Sequence, residues 1–461
     1  MNPILSRSTA LLLLTTGLFL WSGCATVEPG PDFLRVRDLV KETTGFPDTY
    51  NPEDPAITRE EIAAALADGL SIDEAVRIGL LNNRRLQSEF MSIGVAKADW
   101  VQSGLLSNPS LDMLVRFPVD GGRSQIEALF VQNILELWRI PLRKELSQHE
   151  LDDAVFTIAR VAAELVAEIR SAYYEALAAD ELRTLGESNL ENATRAYEAT
   201  RSLREGGVAT QFDENLARGP ALEAEVSLRT RQLEARAARR RIASLLSVDL
   251  NVDDLALLDS FPDPLEPGLD VESLIAIAMD ARLDLRAYQA AMAAAGVQIS
   301  YESRKALGEF SIGVSVERPA VAGDTLVGPA FTATIPIFDQ NQAQVARAEY
   351  LYVQAVKSLE AIQFRIAQDI RGTADRASTA ASMVAFYQTE LLPQAEQNLE
   401  LATTAYTSGQ ASLIEMLVAQ RTSLVARTGY IQARRGAATA MARLEQAVGR
   451  PLCELEAQNR R

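Results

Sequence analysis

Histidine is almost missing from this chain of 461 residues: His149 stands alone, in Ser147-Gln148-His149-Glu150. Its polar, helix-forming neighbours read as a solvated helix face, and a lone imidazole removes most acid–base schemes that work near neutral pH. The two cysteines, Cys24 and Cys453, lie at opposite ends and suggest neither a disulfide framework nor a zinc site. Aromatic residues make up only 6%, against 48% hydrophobic overall with abundant alanine, which favours closely packed helices over aromatic-rich β cores. No Lys/Arg cluster offsets a formal net charge of −17, so the basic patch that phosphate backbones need is lacking and nucleic acid is not an expected partner. Nucleophile–base pairs, phosphate loops and metal-ligand clusters are also lacking, so an enzyme is a distant reading and no cofactor is expected. Beyond the N-terminus there is no apolar run of ~18 residues, so any membrane crossing would be made by strands.

What is present begins with an export signal. Arg7 supplies positive charge, and Leu11 to Leu14 followed by Gly17-Leu18-Phe19-Leu20 form an apolar core too short to span a bilayer permanently. Trp21-Ser22-Gly23-Cys24 follows. Small residues just before a cysteine resemble the lipobox of bacterial lipoproteins, which implies an acylated Cys24 as the new N-terminus; Trp21 departs from the usual aliphatic residue there. Ordinary cleavage nearby is the alternative.

The chain then repeats itself with a period of roughly 200 residues. Leu70-Ser71-Ile72-Asp73 matches Leu269-Asp270-Val271-Glu272, and Leu86 matches Leu285. Leu135-Glu136-Leu137-Trp138 aligns with Ile335-Pro336-Ile337-Phe338. Gly207-x-x-Thr210-x-x-Asp213-x-x-x-Ala217 matches Gly409-x-x-Ser412-x-x-Glu415-x-x-x-Ala419. Each half predicts the same elements in order. A helix covers about 72–104, or 271–305, by helical spacing of apolar residues. Two short alternating segments follow, at 111–117 and 125–135 around Gly121-Gly122, and at 310–316 and 330–337 across Gly323-Asp324. A very long helix comes next, at 142–204 and 341–407, on the order of 100 Å at 1.5 Å per residue. Its apolar positions fall three and four apart, at Ile158, Ala162, Leu165, Ile169, Ala172 and Ala176 and at Tyr352, Ala355, Leu359, Ile362 and Ile366, a coiled-coil seam. Pro393 should kink or divide the second. Glycine turns lead to returning helices that end near Leu246 and Val448, and the Asp- and Pro-rich 249–267 should be irregular.

Four strands cannot close a barrel, and open edges in lipid leave backbone groups unpaired at several kcal/mol each. Copies must therefore pool their strands. Three would give twelve strands with room for a water-filled lumen, whereas two would give eight, near the lower limit for membrane barrels.

The order Leu70-x-x-Asp73-Glu74-Ala75 with Asn82-Asn83, Asn108-Pro109-Ser110-Leu111, Ile335-Pro336-Ile337-Phe338-Asp339 and Leu392-Pro393-Gln394-Ala395-Glu396 leading to Tyr406-x-x-Gly409 resembles the TolC-like outer-membrane efflux family, lipoprotein branch. The resemblance covers about 70–452. It implies a mainly α chain with a small β part: a homotrimeric twelve-stranded outer-membrane β-barrel continued by a periplasmic α-helical coiled-coil barrel. It divides the chain into a signal peptide at 1–23, an extended linker at 24–69, a first repeat at 70–248, an inter-repeat segment at 249–268, a second repeat at 269–452 and a tail at 453–461. It implies a passive exit duct for small molecules or metal ions, held in outer-membrane lipid and served by a periplasmic adaptor protein and an inner-membrane pump.

The functional residues it implies lie at the two helical tips. Gly207 and Gly409 permit tight turns, Thr210 and Ser412 cap the returning helices, and Asp213 and Glu415 place charge near their positive ends. Adaptor contact and simple hairpin capping are both open there. The family's gate pairs an acidic residue nine positions past the second glycine with an arginine at twelve; here Arg421 is present but Val418 fills the acidic position, leaving Glu415 or Asp213 as substitutes. The acidic balance suits either a cation-friendly lumen or general surface solubility. A periplasmic coiled-coil scaffold or pump adaptor without a pore is the competing reading, which explains the helices but not two hairpins in matching positions.

Overall fold

A computed structural model describes residues 25–452 apart from 56, 250, 254, 265–269 and 322–323. The expected signal peptide, the acylation position Cys24, the tail at 453–461 and Gly323 of the second hairpin lie outside the described residues. The fold is mainly α with one small antiparallel sheet, in two units.

The strand unit takes in 92–152 and 290–355, with 25–31. Its strands are β1 (Ser110–Arg116), β2 (Gln125–Asn133), β3 (Phe310–Arg318) and β4 (Leu326–Ala333), all antiparallel in the order β1-β2-β3-β4. Each half supplies one hairpin, and the hairpins join through β2 and β3, with Ala128 opposite Val316. Gly313 makes that join possible, since a Cβ there would collide with the Phe130 carbonyl. β4 begins and ends four residues earlier than expected. Gly328-Pro329 reads as a strand breaker, but β4 is an edge strand, where proline's missing N–H is tolerated. Arginines fasten the junctions between strands and helices: Arg143 Nε donates to the Ser103 carbonyl at 2.6 Å, and an Arg304 guanidinium N–H to the Trp138 carbonyl at 2.7 Å.

The helical unit takes in 32–91, 153–289 and 356–452. The segment 24–69, expected to be extended, instead carries α1 (Gly30–Thr44) and α2 (Arg59–Ala65). Phe33, Val36 and Val40 fall three and four apart on α1 and are buried, Phe33 against the Phe90 ring. The first expected helix is two, α3 (Ile72–Asn82) and α4 (Arg84–Ser103), because Asn83 takes an extended conformation. The Asn82 and Asn83 side-chain amides donate to the Leu246 and Leu245 carbonyls at 2.8 and 2.7 Å, and Asn83 Oδ1 accepts from the Leu86 N–H. These bonds outweigh one continuous helix. The second half breaks at Arg282 in the same way, into α7 (Val271–Ala281) and α8 (Leu283–Lys305).

Helix α5 (Glu136–Glu205) runs 70 residues and starts before the expected 142, with Pro141 as its sixth residue. Its predicted seam is buried from Ile158 to Ala176, and Gly79 of α3 lies so close that a Cβ would strike Ile169. Helix α6 (Gln211–Leu246) returns beside it. In the second half, α9 (Gln342–Phe386) passes through a π-turn (Tyr387–Leu391) into α10 (Leu392–Thr407), and α11 (Leu413–Val448) returns. The wider turn stands just ahead of Pro393, whose ring would clash with the carbonyl four residues back. Ile362 and Ile366 of the second seam are buried with Leu274, Ile370 and Leu444, while Tyr352, expected in the seam, is exposed.

The described part of the 249–267 segment is latched to the helices. Leu257 forms a parallel bridge with Leu70. The wholly buried Tyr173 hydroxyl donates to the Leu70 carbonyl at 2.8 Å and lies 3.1 Å from both the Asp259 carboxylate and the Asp259 N–H. Burial pushes the Tyr173 hydroxyl up to about 12.

Candidate functional site

Because paired residues in an antiparallel sheet share a face, the register sorts the strands into two surfaces. One carries twelve residues across its middle, Leu111, Met113 and Val115 of β1, Ile126, Ala128 and Phe130 of β2, Ile312, Val314 and Val316 of β3, and Val327, Pro329 and Phe331 of β4, with Gln132 and Arg318 toward its two ends. All twelve are apolar, and in the single chain Leu111, Met113 and Phe331 are 62%, 65% and 68% exposed. The opposite face carries Asp112, Arg116, Gln125, Glu127, Ser311, Ser315, Glu317 and Thr332, along with Leu114, Leu129 and Val131. There Arg116 and Glu127 form an ion pair at 2.6 Å. Among the described residues, the outer edges of β1 and β4 have no strand partner. Among the described residues no helix is long and apolar enough to cross a membrane.

At the helical tips, the turns after α5 and α10 are built alike, 202 residues apart. Gly207 and Gly409 have φ of +78° and +76°, in open space, so it is the backbone conformation that calls for glycine. The N–H groups of Val208 and Gln410 donate to the Leu203 and Ala405 carbonyls, each at 2.8 Å. Thr210 and Ser412 then cap α6 and α11 through complete capping boxes. Asp213 returns a carboxylate oxygen to the Thr210 N–H at 2.9 Å, and Glu415 to the Ser412 N–H at 2.7 Å. Bonds from the Thr210 hydroxyl and N–H hold the Asp213 carboxyl below its ordinary range; bonds from the Ser412 N–H and hydroxyl do the same for Glu415.

The two tips also pack together. Ala217 of α6 and Leu413 and Met416 of α11 are buried in one cluster with Tyr197 and Tyr406. Arg421 is exposed on α11 and, among the described residues, forms no ion pair. Val418, 59% exposed, shares its face at three residues' distance, whereas Glu415, six residues away and engaged in its cap, does not. A pair that spacing did not reveal joins Arg204 of α5 to the buried carboxylate of Glu214 on α6. Its signal was an acid one residue past the capping Asp213, on the inward face.

These features agree with what the chain resembles. The family model described as outer membrane efflux protein matches residues 274–450. Cobalt-zinc-cadmium resistance protein CzcC of Cupriavidus metallidurans is 23% identical over 424 residues, covering 90% of this chain and 95% of that one. Protein CyaE of Bordetella pertussis is 26% identical over 458 residues, covering 90% of each. The structure of the Campylobacter jejuni CmeC outer membrane channel superposes with a TM-score of 0.69 at 16% identity, over 87% of this chain and 89% of that one. Residues 274–450 thus match the outer membrane efflux protein family, and the chain as a whole is similar to proteins of that kind in sequence and fold.

Proposed function

We propose that this chain is the outer-membrane channel subunit of a tripartite efflux system. Three copies pool their sheets into a twelve-stranded barrel, and their helices continue it as a duct into the periplasm. The observation that carries this reading is the sheet itself: a face apolar across its middle, with Arg318 and Gln132 only toward its ends, beside a face bearing Asp112, Arg116, Glu127 and Glu317, and two edges without a strand partner among the described residues. Lipid takes the first face, water the second, and neighbouring copies the edges. A coiled-coil scaffold without a pore leaves that apolar face without a solvent.

The duct performs no covalent step; its selectivity rests on radius and lining charge. Cys24 carries a lipid anchor in the outer membrane. The tips built around Gly207, Thr210, Asp213, Gly409, Ser412 and Glu415 meet the periplasmic adaptor, which links the channel to an inner-membrane pump. The part that CzcC plays in cobalt, zinc and cadmium resistance supports metal cations as one cargo class. Arg421 and Val418 form part of the closed gate.

The test is conductance in planar bilayers. Purified protein is expected to form pores whose single-channel conductance rises in Arg421→Glu. Absence of pores would overturn the channel, and pores of unchanged conductance would remove Arg421 from the gate.

A further inference from the structure

The channel reading gives no role to an arginine-lined cavity in the helical unit. It has a volume of about 360 Å³ and lies among α5, α9 and α11. Three exposed arginines line it, Arg376 from α9 and Arg435 and Arg443 from α11, together with Thr373 and Thr439. Helical spacing brings them together, since Arg435, Thr439 and Arg443 recur every four residues on one face of α11 and Thr373 and Arg376 are three apart on α9. The one acidic residue in the lining, Glu175, pairs with Arg241 at 3.1 Å.

None of the three guanidiniums forms an ion pair with an acid of this chain among the described residues. Acids are not scarce, with 62 Asp and Glu against 45 Lys and Arg, and nearby arginines have found theirs. Arg371 pairs with Glu272 at 3.0 Å and Arg434 with Glu181 at 3.1 Å. The lining alone carries three positive charges and one negative, in a chain whose net charge is −17. Like charges drawn to one concavity repel unless an anion sits between them, and guanidinium forks match carboxylate and phosphate oxygens. The volume falls within the ~300–1,000 Å³ range of small-molecule sites.

We infer that this cavity binds a small, multiply charged oxyanion, a phosphate ester or a di- or tricarboxylate. The site is independent of the tips and of the strand sheet, so it stands or falls apart from the channel reading. Citrate serves as the probe, titrated by calorimetry into the full-length protein in neutral detergent at fixed ionic strength. Saturable binding of one citrate per chain is expected, weakened at least tenfold in the double variant Arg435→Gln/Arg443→Gln and unchanged in Arg218→Gln, an exposed arginine of α6 outside the cavity. Non-saturable binding, or equal loss in Arg218→Gln, would overturn the site. Should the double variant fail to fold, phenylglyoxal labelling of the unaltered protein decides. Citrate is expected to protect Arg376, Arg435 and Arg443 but not Arg218. Protection of the three before citrate is added would show that acids of a neighbouring copy fill the cavity, which overturns the proposal, as would labelling that citrate leaves unchanged.

Discussion

The helical unit and the strand unit solve opposite problems. In the helical unit the seam residues are turned inward: Ile158, Ile169 and Ala172 of α5 and Ile362 and Ile366 of α9 are all at most 2% exposed, while Phe364, Phe386 and Leu401 stay open. In the strand unit most apolar side chains form one face, many of them exposed, while most polar groups gather on the other. A helix satisfies its own backbone and needs only a packing partner, but a four-stranded sheet leaves two edges and one face for something else to cover. In the proposed trimer, lipid covers the sheet's apolar face and further copies cover its edges.

The largest effect should come from confusing the two faces of the sheet. Val314→Lys puts a charge in the middle of the apolar face, at about 2–4 kcal/mol for each copy near a bilayer midplane. Heat-resistant oligomers should vanish from outer-membrane fractions on gels, while Ser315→Lys, one residue away on the other face, should keep them. Equal loss in both would erase the distinction between the faces.

A smaller effect should follow from opening the helical core. Ile169→Ala removes a wholly buried side chain against Gly79 and should cost about 2–5 kcal/mol, read as a lower midpoint in denaturant followed by circular dichroism. Membrane sorting should persist in the molecules that fold, since the strand face is untouched.

Next comes the latch at Tyr173. Tyr173→Phe strips the hydroxyl from the Leu70 carbonyl and the Asp259 N–H and should destabilise by about 1–2 kcal/mol. With its pKa raised from 10.0 to about 12, this hydroxyl stays protonated when the unfolded chain has already ionised. Its contribution therefore declines as pH rises through that window, and the gap between the wild type and Tyr173→Phe should narrow at alkaline pH.

The sequence showed much of this, and its failures have physical causes. The coiled-coil spacing of α5, the glycine tips and the capping residues were legible because each depends on neighbours within a turn or two. The breaks at Asn83 and Arg282 were not, because the bonds that reward the Asn83 break reach residues more than 160 positions away. Strand β4 was misplaced because Pro329 is tolerated only at an edge, and edge status is a property of the whole sheet. The burial of α1 escaped notice because its apolar residues follow Gly30-Pro31, which reads as linker. At the tips, spacing found the caps but not the buried Arg204–Glu214 pair between helices.

The smallest effect belongs to those caps. Thr210→Ala should cost about 0.5–2 kcal/mol, read as faster amide exchange in the first turn of α6. Asp213 and Glu415 have carboxyls held below their ordinary values of 3.8 and 4.5, so the stability they lend is complete above those values and is lost as pH falls through their lower folded ones. Tip exchange at pH 5 should therefore match that at pH 7 after correction for intrinsic rates, and protection should drop only in stronger acid.

Native mass spectrometry of the detergent-extracted, full-length protein tests the pooling of strands most directly. Three chains per particle are expected, falling to one when the strand edges are charged by Met113→Lys with Phe331→Lys. A wild-type protein that leaves the detergent as a stable single chain would contradict the account.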